Sequence, residues 1–381
     1  MLRKLFFSLM TVALLAPALP ASAADDGKII TFATFDVGTS NYVELSVVGE
    51  AIAKKFGPKF RLIPQGNTVA RVIALSSGRT MFWQTCSGHY SSFEGLDDFG
   101  TERFGPQPIQ MLWVSNRKAS YSPAATAKSG IKTMAEVKGK RVAWVVGAPS
   151  INMQMEAYLA FAGLTWDDVK KVEFPGYPAN TRGQIAGTVD VVMNASAAPV
   201  THELAASPQG MVWLPVPASD TEGWKRAQAI CSFIAPQTIT EGAGVKKGES
   251  IEVGSYPCPI ILALKTQDEN LVYNLTKMIA ETGPDYLKTM SQGDDWQLDK
   301  MLKSRFVVPF HKGSVKYFKE IGKWTDAHEA RQQELLKRQQ VLADAFADTK
   351  KRMGGKKAEE FAAAWEKDRL AALQKAGLSL Y

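Results

Sequence analysis

Cysteine and histidine are scarce in this chain of 381 residues, with three of the former and four of the latter. There is no Cys-x-x-Cys pair and no His-Glu-x-x-His. His89, His202, His311 and His328 lie too far apart for ligand spacing, so nothing predicts a metal centre. A Gly-x-Ser-x-Gly elbow is absent, and so is any Gly-Lys-Ser/Thr ending to a glycine loop. The sequence case for a serine hydrolase or a nucleoside triphosphatase falls with them. Asp97-Asp98 and Asp167-Asp168 are adjacent acids whose side chains diverge, and they read as turn or helix-start residues. No catalytic residue and no cofactor is predicted.

Long apolar runs are also missing, with one exception. Leu5–Leu15 follows Arg3 and Lys4 and leads to Ala21-Ser22-Ala23, a small-x-small pattern. As a membrane span it is too short, and Pro17 and Pro20 break it. Residues 1–23 therefore read as a cleaved secretory signal peptide. No cysteine stands at the cleavage site, which argues against a lipid anchor. The formal charge is +7, two of it from Arg3 and Lys4. The excess is mild and spread out, without the aromatic-plus-basic interleaving of a nucleic-acid module. An oxidising compartment permits one disulfide among Cys86, Cys231 and Cys258. Cys231–Cys258 is the pair to test, against three buried thiols.

What is present is a pattern that occurs twice. Strand Ile29–Phe35 ends in the loop Gly38-Thr39-Ser40-Asn41 and opens a helix to about Phe56. Asn41 as N-cap would place Glu44 at N3, as in a capping box. Strand Phe60–Ile63, loop Gln65-Gly66-Asn67, a helix from Thr68 to Gly78 and the strand "MFWQTC" follow. The second copy runs from "KRVAWVV" through Gly147-Ala148-Pro149-Ser150 into a helix from Ile151 to Ala162. "KVEF", a loop at Gly176–Thr181, a short helix to Gly187 and "VDVVMN" complete it. Alternation of this kind predicts α/β lobes with parallel-rich sheets and right-handed crossovers. Loops at the carboxyl ends of the strands then gather at one edge, where ligands bind. Between the copies, Gly88–Pro108 reads as loop-rich. "IQMLWVS" and "PCPIILAL" read as the strands that carry the chain between lobes and back.

From about Lys323 the composition shifts to helix formers. Leu335, Leu342, Phe346 and Met353 form one narrow apolar stripe, and Phe361 and Trp365 lie one turn apart in a second helix. This tail either packs across the chain's own lobes or makes a partner contact, including a dimer through these helices.

The loop at Gly38 lacks the lysine and the glycine spacing of phosphate loops. A helix start still offers free N–H groups and a positive dipole end, and Asn67 and Ser150 stand at two further starts. Each dipole favours an anion by roughly 0.3–1 kcal/mol. Charge-assisted hydrogen bonds add about 1.5–3 kcal/mol each, and micromolar binding needs about 8 kcal/mol. On this reading no buried arginine is required. Tyr42, Trp83, Trp144 and Tyr256 could supply apolar walls, with Trp83 and Trp144 the better core candidates.

Several stretches resemble the TAXI-type solute-binding subunits of TRAP transporters. They include "GTSNYVELSVVGEAIAKKF", "PQGNTVARVIALSSG", "VKGKRVAWVVGAPSINMQMEAYLAFAGLTWDDVKKVEF", "GQIAGTVDVVMNASAAPVTHELAAS" and "VPFHKGSVKYFKEIG". The resemblance covers about residues 28–322. It implies a periplasmic, non-enzymatic protein of the two-lobe periplasmic-binding-protein (type II) architecture with a cleft between lobes, followed by a C-terminal helical extension. Lobe 1 would comprise residues 24–113 and 260–322, lobe 2 residues 114–259, and the extension residues 323–381. Such a protein captures a small organic anion or amino acid and delivers it to membrane permease subunits. Carried over by position, the ligand loops would hold Gly38, Thr39, Ser40, Asn41 and Tyr42; Gly66, Asn67 and Thr68; Gln84, Thr85 and Cys86; Gly147, Ser150 and Asn152; and Asn194 and Ser196. Tyr256 is the added aromatic wall. The sequence departs from the family at Asp36-Val37 before Gly38, and at Pro149-Ser150-Ile151-Asn152 in place of a glycine-rich loop. The alternatives are the receptor of an ATP-driven (ABC) importer or of a sensor on the same fold and, from a different class, an exported hydrolase or transferase.

Overall fold

Alternating apolar segments and capped helices build two α/β layers, each around its own five-stranded sheet. The computed structural model describes residues 29–115, 120–231, 233–290, 293–303 and 306–380. The leader, residues 1–23, lies outside the described residues. The strands are β1 (Ile29–Thr34), β2 (Lys59–Pro64), β3 (Phe82–Thr85), β4 (Ile109–Val114), β5 (Tyr121–Thr126) and β6 (Arg141–Val145). They continue as β7 (Lys170–Phe174), β8 (Val191–Ala195), β9 (Met211–Trp213), β10 (Ala235–Ile239), β11 (Ile251–Ser255) and β12 (Ile260–Leu264). The helices are α1 (Ser40–Phe56), α2 (Thr68–Ser76), α3 (Gly88–Glu94), α4 (Pro149–Phe161), α5 (Tyr177–Ile185), α6 (Pro199–Ala206) and α7 (Thr221–Ile230). After them come α8 (Glu269–Glu281), α9 (Gly283–Tyr286), α10 (Leu298–Leu302), α11 (Lys312–Glu320), α12 (Asp326–Met353) and α13 (Ala358–Lys375).

The first sheet has the order β2-β1-β3-β12-β4 and the second β7-β6-β8-β5-β9. In each, the first three strands are parallel and joined by helices. The fourth place goes to an antiparallel strand that has just crossed from the other lobe: β12 in the first sheet, β5 in the second. The chain thus crosses twice, between β4 and β5 and between β11 and β12. Ser115 N–H donates to Pro259 O at 2.8 Å, tying the two crossings side by side. β10 and β11 form a separate antiparallel pair. The twofold strand–loop–helix pattern read from the sequence is this pair of parallel halves.

Three local readings need correction. The cap of α1 is Thr39, whose hydroxyl accepts from Tyr42 N at 3.2 Å and donates to Asp36 O at 2.8 Å. Gly38 at φ +92° makes that tight turn without strain. Asn41 is therefore inside the helix, and Glu44 accepts from Trp296 Nε1 at 2.9 Å instead of closing a capping box. Residues 88–94, expected as loop, form α3, with every residue buried. A helix buried all round carries no amphipathic period to be read. Finally, Cys258 pairs with Cys86, their Cα atoms 4.9 Å apart, while Cys231 is a buried thiol in the second core. The expected Cys231–Cys258 bridge is thus wrong; the pairing joins the end of β3 to the second crossing.

The C-terminal helices pack on the first lobe. Leu335 and Leu342 are fully buried, and Phe346 sits edge-on to Trp365 and Phe361. Polar contacts fix the register: Gln339 bonds Gln110 and Ile109 O, Gln332 bonds both backbone groups of Phe310, and Trp365 donates to Gly95 O. At the centre, Glu94 at the end of α3 accepts from Arg338 at 2.6 and 2.8 Å and from Arg369 at 3.0 Å. The apolar stripe of the tail is spent within the chain itself, which favours own-lobe packing over the partner contact.

Candidate functional site: the cleft between the lobes

The loops after β1, β2 and β3 face those after β6, β7 and β8, as the topology requires of strands whose carboxyl ends point to a common edge. The facing loops touch. Val69 N donates to Gly147 O at 3.2 Å, Val200 N to Gly38 O at 3.3 Å, and the Gln154 amide bonds the Ser87 hydroxyl. Gly66 and Gly176 lie back to back: a Cβ on Gly176 would stand 2.9 Å from Gly66 O. Behind this seam is a cleft of about 570 Å³, the open solvent at its mouth included.

From the first lobe the wall receives Phe35, Thr39, Ser40 and Asn41 after β1, Thr68 and Arg71 from α2, and Thr85, Cys86, Ser87 and Gly88 after β3. The second lobe supplies Tyr121, Ser150, Ile151, Tyr177 and Ala195, and the second crossing Tyr256 and Cys258. Of the residues proposed from the sequence, Thr39, Ser40, Asn41, Thr68, Thr85, Cys86, Ser150 and Tyr256 come together here.

The others stand around the cleft. Gly38, Gly66, Asn67 and Gly147 form the interlobe seam, where Asn67 also caps α2 by accepting from Ala70 N at 2.8 Å. Tyr42 is half-buried in the first turn of α1. Gln84 braces the site from behind, accepting from Thr34 and donating to Asn41 O at 2.9 Å. Asn152 spends its amide on both backbone groups of Val145, at 2.9 and 3.0 Å, so it anchors α4 to β6. Asn194 is buried in a network with Thr181 and Gln184, and Ser196 accepts from Ser120 N at 3.2 Å.

The residue that dominates the electrostatics was not foreseen. Arg71, 3% exposed, lies in the first turn and a half of α2 with its guanidinium 4.1 Å from the centre of the Phe35 ring. It donates to Gln65 O at 2.8 Å and to the Thr68 hydroxyl at 3.4 Å. Its Nε–H has no partner, and among the described residues it has no salt bridge. Burial pulls its pKa down to about 10, against the charge of Asp36, so it stays a cation at neutral pH. Tyr121 faces the same space with an unpartnered hydroxyl; burial first, then Tyr177 and Tyr256, holds it neutral. Leaving a buried donor unpaired costs about 1–3 kcal/mol. Two such donors beside a cation therefore favour an acceptor group of negative charge. A sequence signal existed: a lone arginine near the positive end of an otherwise apolar helix opposes the dipole and calls for an anion. Asp36 itself is half-buried, and burial raises its pKa although Arg71 and Arg182 oppose the shift.

Among the described residues no group of three or more His, Cys, Asp or Glu could hold a metal ion, and no helix is long and apolar enough to cross a membrane. Two α/β lobes with a cleft at their facing loops give this chain the two-lobe periplasmic-binding-protein architecture. The chain belongs to the NMT1-like family, whose model matches residues 99–322. No curated protein sequence matches it. Among solved structures it is similar to the alkanesulfonate-binding protein SsuA of Xanthomonas axonopodis pv. citri bound to MOPS (15% identity, 85% of this chain and 94% of that one, TM-score 0.42). It is also similar to an ancestral arginine-binding protein bound to arginine (14%, 71% and 98%, 0.43). A third is PhnD1 of Prochlorococcus marinus (MIT 9301) in complex with methylphosphonate (10%, 78% and 100%, 0.41). At these scores no ligand is carried over from them to this chain.

Proposed function

We propose that this protein captures a small solute bearing an anionic group, an organic acid or an amino acid, and presents it to a membrane permease. The observation that carries the reading is Arg71, a buried cation with an unpaired N–H in the wall of the interlobe cleft. Ser40, Asn41 and Ser150 line the same space as further polar contacts. Capture works by hinge closure: the ligand bridges the lobes, and the seam at Gly38, Gly66, Gly147 and Gly176 forms in the closed state. Export to the periplasm rests on the leader-like residues 1–23, and the amino-terminal residue of the mature chain tests it. The sequence resemblance supports a TRAP-type permease pair as the partner; an ABC importer is the alternative. Uptake that follows an ion gradient and survives loss of ATP separates the two.

The decisive experiment is Arg71→Gln. Losing one charge-assisted bond to the anion weakens binding by about 1.5–3 kcal/mol, roughly 10- to 150-fold in Kd. Titration calorimetry over carboxylates, sulfonates and amino acids measures it. Unchanged affinity of the variant for a ligand that the native protein binds would refute the anchor.

A further inference from the structure

We infer that the solute is a small, flat, apolar monoanion, of the aryl or unsaturated monocarboxylate class, and not an amino acid. The inference rests on the reading of the cleft as an anion site and narrows it. The first observation is charge. Among the described residues that line the wall, Arg71 is the single ionised side chain, and none is an aspartate, glutamate or histidine. A monoanion balances it, whereas the second carboxylate of a diacid would be buried without a counter-charge.

The second observation is the direction of the hydrogen bonds. Of the residues that line the wall, the buried unpartnered groups are Arg71 Nε–H, which donates, and the Tyr121 hydroxyl, which donates or accepts. An α-ammonium needs the opposite, several converging acceptors. The carbonyls at the loop tips are already engaged. Asp36 O accepts from Thr39, Gly38 O from Val200 N, Asn41 O from Gln84, Gln65 O from Arg71, and Gly147 O from Val69 N. The nearest carboxylate, Asp36, is turned into the interlobe seam, where its Oδ2 stands 3.2 Å from the place of a Cβ on Gly66.

The third observation is the surface left for the body of the ligand. Tyr121 packs 5.8 Å from Tyr177 and edge-on to Tyr256 at 6.1 Å, with Phe35 across the cleft beneath Arg71. Ring faces and edges of this kind favour a flat, polarisable skeleton.

The test pairs molecules that differ in one group. Phenylacetate and L-phenylglycine differ by the α-ammonium, and benzoate and phthalate by one carboxylate. Calorimetry on the purified mature protein should show the first of each pair binding at least 50-fold tighter than the second, with Arg71→Gln losing the monoacids. L-Phenylglycine or phthalate binding as tightly as its partner, with Arg71→Gln weakening both, overturns the inference and leaves the anion site standing. Binding that ignores Arg71→Gln removes both readings. Failure of both monoacids to bind also overturns the inference, and a sulfonate and amino-acid panel on the same two proteins then judges the anion site separately.

Discussion

Replacing Glu94 with alanine is expected to loosen the C-terminal helices from the first lobe. Glu94 is 1% exposed, and it is the shared counter-ion of Arg338 and Arg369, whose side chains are 3% and 6% exposed. Arg338 places two N–H groups on the carboxylate, at 2.6 and 2.8 Å, and a third on Ser379 O at 2.6 Å. Arg369 contributes one bond at 3.0 Å, and its Nε is already without a partner. Removing one member of a buried ion pair costs about 3–5 kcal/mol, because the charge that remains is uncompensated. Two cations lose their shared carboxylate here, so the upper end, about 5 kcal/mol, is expected for Glu94→Ala. Hydrogen exchange read by mass spectrometry should show residues 326–380 losing protection ahead of β1 and β3, with a clear fall in the thermal midpoint. The same logic predicts recovery when all three side chains become apolar, as in a Glu94→Leu, Arg338→Met, Arg369→Met variant. Native protection and an unchanged midpoint in Glu94→Ala would show that the tail is held by its apolar stripe alone.

Reduction of Cys86–Cys258, or a double serine variant, removes a link across a sequence separation of 172 residues. Chain entropy puts the loss at roughly 5 kcal/mol, visible as a reductant-dependent melting temperature; no dependence would argue against the bridge. His89 is fully buried, and burial lowers its pKa to about 4 despite its bond to Cys86 O. The unfolded chain takes up this proton near pH 6.5 and the folded chain does not. Stability is therefore complete at neutral pH and falls as pH drops from about 6.5 towards 4, by at most about 3 kcal/mol. His89→Gln should flatten that acid limb in urea titrations at pH 7.5 and 4.5; an equal slope in the two proteins would exclude the histidine. Gly176→Ala places a methyl against Gly66 O in the closed seam, while its backbone is extended and tolerates alanine. Ligand affinity should fall about tenfold, a shift of about 1.4 kcal/mol, with the unliganded melting point retained; equal affinity would mean that closure does not bring these loops together.

The parts of the fold legible in the sequence were those written in local code. The two strand–loop–helix runs, the helix start at Asn67 and the positive-φ glycines Gly78 and Gly187 that end helices all depend on residues within a few positions. The apolar stripe of α12 was equally plain. What escaped depends on distant chain. The helical state of residues 88–94 follows from burial between lobe and tail. The Cys86–Cys258 pairing needs both crossings placed before the sulfurs can meet. The cap of α1 moved to Thr39 because Gly38 turns the chain two residues earlier than an Asn41 cap would. In the cleft, the hydroxyls and amide of the first loop were legible as polar residues at a helix start. Tyr121 was not, since its importance lies in the partner its hydroxyl lacks, and Arg71 carried only the faint signal of a cation at the positive end of an apolar helix.

The exchange of strands between lobes has a consequence for the order in which the molecule can be completed. β5 to β9 are consecutive in the chain, so the second sheet has all its strands once residue 213 has been made. The first sheet does not: β12 sits between β3 and β4, and residues 260–264 must arrive before its two halves join. The tail that then covers this lobe comes last of all, ending in α13 at Lys375. The first lobe thus remains an open, unfinished sheet until residue 264 has been made.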